Sequence, residues 1–238
     1  MKTLLTFTMV SLFIMGCSTK ESAESDKQVA AGEGWIDLMS VDHWKQYNSD
    51  LFPERGWKFV EDELIFQPEA SEDWTSGLDI ITREMFQDFE LEMEWMVAMG
   101  GNSGIFYFVI EQPSKAIYWS GLEMQILDNE NHPDSDQGVD GNRKAGTLYD
   151  LIPAVPQNAH PHGEWNAIKI VSNGPIIEHW MNGEKVLEFE RFTPEWDDML
   201  FNSKFRNHPE FGASLQGHIG LQDHGDTIRF KNIRIRRL

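Results

Sequence analysis

Strict alternation of acidic and apolar residues from Phe89 to Trp95 puts Glu90, Glu92 and Glu94 on one side and Leu91, Met93 and Trp95 on the other. A chain with that period folds there as a strand with one buried and one solvated face. Leu122 to Leu127 repeats the pattern, with Glu123 and Gln125 on one face and Leu122, Met124 and Ile126 on the other. Ala167 to Ser172 and Ile176 to Trp180 flank Asn173-Gly174-Pro175, and Asn182-Gly183 leads into Lys185 to Phe189. These are hairpin signals. Ser103 to Ile110 is apolar on both faces, and Gly217 to Leu238 reads as two strands broken at Gln222-Asp223-His224-Gly225. With no long helical pattern, no internal linker and no fixed repeat, the stretch from Gly34 to Leu238 is expected to be one antiparallel, all-β sandwich domain.

The N-terminal residues carry a different pattern. Lys2, an apolar run from Leu4 to Met15 and then Gly16-Cys17-Ser18 form a signal peptide with a lipobox-like end. The run is shorter than the ~20 apolar residues of a spanning helix. The expectation is therefore a leader over 1–16, lipidation of Cys17, a solvated tether over 17–33, and a lipid-anchored protein of the bacterial cell envelope, periplasmic or at the cell surface. Cys17 is the only cysteine, which excludes an intramolecular disulfide and a thiolate metal cluster, and once acylated it is no nucleophile. The formal charge of −19 argues against nucleic acid as a partner and reads as solubility.

Polar residues collect in the loops. A strand delivers Glu123 and Gln125 to one sheet face and the loop that follows adds Asp128 and His132, so carboxylates, amide and imidazole can converge for acid–base work. The bland alternative is that Asp128 and Asn129 cap a turn while His132 is solvated. His224, at the turn before the last strand, offers a second imidazole that could face the same groove, with Gln222 beside it; a polar turn bonded only to itself is the competing view. Glu94 is a further candidate, since one acid of its strand could point into a groove. Among nine tryptophans, Trp119, with Tyr118 and Tyr149, is the expected sugar platform, while Trp95, Trp165 and Trp180 are expected in the core. Asn102 and Ser103, after Gly100-Gly101, sit where backbone can approach a ligand closely. Oxygen ligands of Asp134, Asp136 and Asp140, or His132 with Asp128, could hold a divalent ion, but the loop lacks the acids that a calcium loop needs at its fifth and closing positions.

Five ordered segments carry a family resemblance: Asn102-Ser-Gly-Ile-Phe106, Gly121 to His132, Gly146-Thr-Leu-Tyr-Asp150, Gly163-Glu-Trp-Asn166 and the C-terminal Gly217 to Leu238. Together they resemble the 3-keto-disaccharide hydrolase family over nearly all of the chain from Gly34. The resemblance implies a concanavalin-like jelly roll of two antiparallel sheets and cleavage of glycosides whose glucose ring is oxidised at C3, with a sugar 3-oxidoreductase as pathway partner. A C3 ketone acidifies the C2 proton, so a base can remove it and the C1 substituent can leave by elimination, after which water adds. On this expectation His132 or His224 takes the C2 proton, Glu123 or Asp128 protonates the departing oxygen, and Gln125 with Asn102 holds the ketone. No cofactor is required by the residues, though a divalent ion is compatible with them. A sugar-binding module without catalysis and a glycosidase using Glu94 with Glu123 are the alternatives.

Overall fold

The computed structural model describes residues 34–68 and 77–238; the leader, Cys17 and the tether lie outside the described residues. Two antiparallel sheets face each other. Seven strands of the larger sheet run in the order Glu184–Glu190, Ile176–Met181, Asn166–Asn173, Phe89–Val97, Ile228–Arg237, Glu63–Phe66 and Trp57–Val60, and Trp35–Asp37 also pairs with Ile228–Arg237. The smaller sheet runs Trp44–Gln46, Ile80–Thr82, His218–Leu221, Asn102–Val109 and Leu122–Leu127. This is the all-β sandwich that the alternating pattern predicts.

Local sequence explains the hairpins. Asn182 and Gly183 both take positive φ, 50° and 85°, which is the backbone that a two-residue turn between twisted strands needs. The core lies between the sheets: Leu91, Met93, Trp95, Leu122, Met124, Ile126, Ile170, Phe230 and Ile235 are all buried. Each such large side chain contributes about 1.5–3 kcal/mol relative to exposure. A buried polar island sits among them, where His179 Nε2 meets Tyr107 Oη at 2.8 Å and its Nδ1 lies 3.0 Å from the Gly146 carbonyl. Burial lowers the pKa of His179 to about 4, so it stays neutral and ties the Gly146 loop to the larger sheet.

Trp95 fills the core as expected, but Trp165 and Trp180 do not. Both are only half-buried, Trp165 beneath Lys231 at 4.1 Å and Trp180 beneath Lys169 at 4.2 Å. Their rings shield the stems of lysines on the outer face of the larger sheet.

Outside the sheets, the stretch after Glu190 folds as a helix, Pro194–Phe201, capped by Thr193, and then as a short turn of helix, Lys204–Asn207, capped by Ser203. Phe205 anchors that turn by stacking on Phe211 with ring centroids 3.9 Å apart. This segment covers one end of the smaller sheet's outer face.

Candidate active site

A cavity of about 420 Å³ opens on the outer face of the smaller sheet, lined by Asn102, Tyr118, Glu123, Gln125, Tyr149, Lys204, Phe205, His208, Gln222 and His224. Register explains the first of these. Gly104 pairs with Gln125 and Phe106 with Glu123, so Asn102, Gly104, Glu123 and Gln125 share one face. A Cβ at Gly104 would stand 2.2 Å from Glu123 Oε1, so the glycine is what lets the carboxyl lie flat across the sheet. Beyond the strand, the segment 146–149 docks on it through Gly146 N–H to the Gln125 carbonyl at 2.8 Å and Tyr149 N–H to the Glu123 carbonyl at 3.0 Å. Tyr149 is thereby fixed beside Glu123.

Glu123 is the one carboxyl among the described lining residues of the pocket. It is only 8% exposed, and desolvation pushes its pKa up to about 8, with Lys204 pulling down and Asp79 and Asp134 pushing further up. Gln125 supports it. In one amide orientation Gln125 Nε2 reaches Asn102 Oδ1 at 3.3 Å; exchanged, it donates to both the Ser103 carbonyl and Glu123 Oε1 at 3.1 Å, which satisfies both ends. Gln222 Oε1 is buried with no partner among the described residues, so a hydroxyl donor from a ligand would complete it.

At the more open side, His224 stands with its side chain 45% exposed, its Nε2 3.4 Å from Asn102 Nδ2 and its Nδ1 3.9 Å from Asp226. His132 backs it edge-on at 6.2 Å between ring centroids. Ligand atoms of His132, His224 and Asp226 all lie within 4.8 Å of one another, a two-nitrogen, one-oxygen set suited to a borderline divalent ion such as zinc. Nδ1 of His132 accepts the Asp134 N–H at 3.1 Å, which leaves the imidazole proton on Nε2. Coordination through Nε2 would cost that proton or that cap.

Several sequence candidates stand elsewhere. Asp128 is buried but anchors its own loop, accepting the N–H groups of Gly100 at 2.7 Å and Glu130 at 3.2 Å and the Asn131 amide at 2.8 Å. Burial alone would raise its pKa; these hydrogen bonds outweigh it and hold the carboxyl below its ordinary value. It is a turn anchor and does not line the cavity. Glu94 lies on the outer face of the other sheet, bonded to Asn232 at 2.6 Å and paired with Lys231 at 3.4 Å. Ser103 turns away from the cavity and donates to the Gln222 carbonyl at 2.9 Å, so it positions Gln222. Trp119 sits behind the lining, stacked on His208 at 3.9 Å with its indole N–H on Glu210 at 2.9 Å; Tyr118 and His208 present the ring surface instead. Asp134 is held by Arg143 and Tyr149 Oη, both at 2.8 Å, and forms no oxygen cage with Asp136 and Asp140.

Sequence reasoning missed Lys204, His208, Phe205 and Asp79. The first three come from the irregular stretch between Phe192 and Gln216, where no periodic signal points to any one residue. Asp79 accepts the Asp223 N–H at 2.9 Å, and its pKa is raised to about 7, first by desolvation and further by the charge of Asp223.

A family model described as a 3-keto-alpha-glucoside-1,2-lyase-like domain matches residues 34–236. A relative from Bacteroides thetaiotaomicron, named a 3-keto-disaccharide hydrolase, is 42% identical over 229 residues, covering 86% of this chain and 78% of its own. The crystal structure of a candidate glycosyl hydrolase from Parabacteroides distasonis superposes with a TM-score of 0.77 at 28% identity, over 87% of this chain and 94% of that one. A second such structure from the same organism, at 23% identity and TM-score 0.64 over 86% and 99%, shares the fold.

Proposed function

The chain belongs to the 3-keto-alpha-glucoside-1,2-lyase-like family, and on that premise we propose that it cleaves 3-keto-glycosides by elimination across C1 and C2 in the Glu123 pocket. It is a hydrolase or lyase acting on the glycosidic bonds of 3-keto-glucosides and 3-keto-disaccharides. The observation that carries the mechanism is the make-up of the lining: one carboxyl, Glu123, and exposed imidazole His224, without a second carboxyl among the described lining residues. A conventional glycosidase needs two carboxyls flanking C1. Glu94 cannot be the second, because it lies on the other sheet.

The keto ring sits deep, against Glu123. A carboxylate with a raised pKa is a stronger base than an ordinary one, so Glu123 takes the C2 proton. The aglycone lies toward the open side, where His224 protonates the departing C1 oxygen and where the alcohol can leave. These roles reverse the assignment expected from sequence, because burial singles out the carboxyl as the inner group. Asn102, Gln125 and Gln222 hold hydroxyl and carbonyl oxygens of the ring, and Tyr118 with His208 packs against the sugar. A divalent ion on His132, His224 and Asp226 would supply Lewis-acid pull at the same end of the pocket.

We further read residues 1–16 as a leader, Cys17 as a lipid attachment site in the cell envelope, and a sugar 3-oxidoreductase as the source of the ketone. The test is product release from 3-keto-trehalose and trehalose, with and without chelator. Cleavage of the keto sugar alone supports the elimination. Activity that survives chelator leaves the imidazolium as the acid, whereas loss restored by zinc puts an ion at the His132–His224–Asp226 cluster. Binding of both sugars with cleavage of neither makes the protein a carbohydrate-binding module.

A further inference from the structure

Resting on that elimination reading, we propose that Lys204 is a catalytic residue that neutralises the negative charge developing on the C3 oxygen of the substrate. Proton removal from C2 leaves the electron pair of the C–H bond in a C2=C3 enolate, with its charge on the C3 oxygen. Return of that pair re-forms the ketone and makes the C1=C2 bond as the C1–O bond breaks, and the leaving oxygen takes a proton from the acid. The products are the alcohol and a 2-hydroxy enone, to which water adds at C1. An enzyme that makes such an enolate near neutral pH needs a positive group beside C3.

Lys204 is the one lysine or arginine among the described lining residues. Ser203 caps its turn, with Oγ accepting the Phe205 N–H at 3.0 Å, and the Phe205–Phe211 stack fixes the turn against the sheet. Its Nζ lies 4.1 Å from the Tyr149 ring centroid and 3.6 Å from Asp150 Oδ2. Asp150 is shared, because its other oxygen is bound by Arg143, which also holds Asp134. Arg143 and Lys204 therefore face two carboxyls, Asp134 and Asp150, and Lys204 lines the cavity together with a third, Glu123. When Glu123 accepts the proton, its negative charge passes to the C3 oxygen, so the net charge facing Lys204 in the pocket is unchanged. Preorganisation of this kind is what makes a fixed cation effective in a partly closed site. Lys204 and Glu123 line the same cavity, and against the desolvation that dominates at both groups each favours the charged form of the other.

The experiment separates enolate formation from leaving-group loss. NMR in deuterated buffer follows exchange of the C2 proton of a methyl 3-keto-glucoside, in parallel with its cleavage, for wild type, Lys204→Met, Lys204→Arg and His224→Ala. The expected result is that K204M loses exchange and kcat together by about 10²–10³-fold with little change in KM. K204R recovers part of both, and H224A keeps exchange while losing cleavage. If K204M fails to fold, K204Q carries the same prediction. Wild-type exchange in a folded K204M or K204Q variant with impaired cleavage overturns the proposal and leaves Lys204 as a positioning residue. Cleavage by wild type without any C2 exchange or C2 isotope effect instead overturns the elimination reading beneath it.

Discussion

Two strands carry acids in the same alternating pattern, and the fold puts them to opposite uses. Glu90, Glu92 and Glu94 lie across from Arg236, Arg234 and Lys231 of the neighbouring strand, and each is ion-paired on the outer face of the larger sheet, Glu92 with Arg234 at 2.6 Å. Glu123 lies across from Phe106, next to a glycine, buried at the base of the pocket that Tyr149 and Lys204 also line. The contrast lies in the cross-strand neighbours: the outer acids meet cations there, whereas Glu123 meets none and lines a pocket. A cation then arrives from the covering segment, as Lys204, close enough to influence Glu123 without bonding to it.

The sharpest way to break this comparison is to neutralise one acid from each face. E123Q is expected to lower kcat on a 3-keto-disaccharide by ~10²–10⁴-fold, the range for losing a general base, while E92Q leaves it unchanged. Steady-state kinetics on both variants decides it, and equal effects would erase the distinction. H224A is expected next, with a loss toward the lower end of that same range, about 10²-fold, that is smaller for substrates with a more acidic leaving alcohol. Substrates differing only in aglycone measure this.

The pH profile sharpens the comparison further. Because Glu123 must be ionised to take the C2 proton and its pKa is pushed up to about 8, the rate of C2-proton exchange, which does not need the His224 proton, should rise with pH through that region. Removing the cation in K204M should move the rise to higher pH, and removing a neighbouring negative charge in D79N should move it lower. The smallest effects are on stability. A carboxyl whose folded pKa stands above its unfolded value binds its proton more tightly when folded. Its contribution is full below the unfolded carboxyl range and is lost as pH rises through about 8. Hence E123Q should match wild type near pH 5 and exceed its Tm near pH 9 by roughly 2 °C or more. E92Q, which loses a half-exposed pair, should cost at most about 1 kcal/mol at either pH.

Much of this contrast was legible in the sequence. Alternation gave the strands and their faces, Asn-Gly pairs gave the turns, and Glu123, Gln125, Asn102, Gln222 and His224 meet in one cavity, as the ordered segments implied. What alternation does not encode is which strand lies next to which. Glu94 and Glu123 look alike along the chain, and only pairing with the C-terminal strand reveals that Glu94 has a cation opposite. Asp128 looked reactive because turn chemistry and acid–base chemistry use the same residue types; its three donors decide for the turn. Trp165 and Trp180 look like core residues until the lysines across them place them outside. Lys204 and His208 come from a segment whose irregular fold depends on the Phe205–Phe211 stack, a contact with no sequence period.

The central claim is that Glu123 removes a proton from carbon, and the most direct measurement is the isotope effect on kcat/KM for 3-keto-trehalose deuterated at C2 of the keto ring. The account predicts a clear primary isotope effect in wild type, together with collapse of the rate in E123Q. A ratio of one, measured on the slower K204M variant as well as on wild type, would contradict it. The C–H bond would then stay intact, and the pocket would have to act directly at C1.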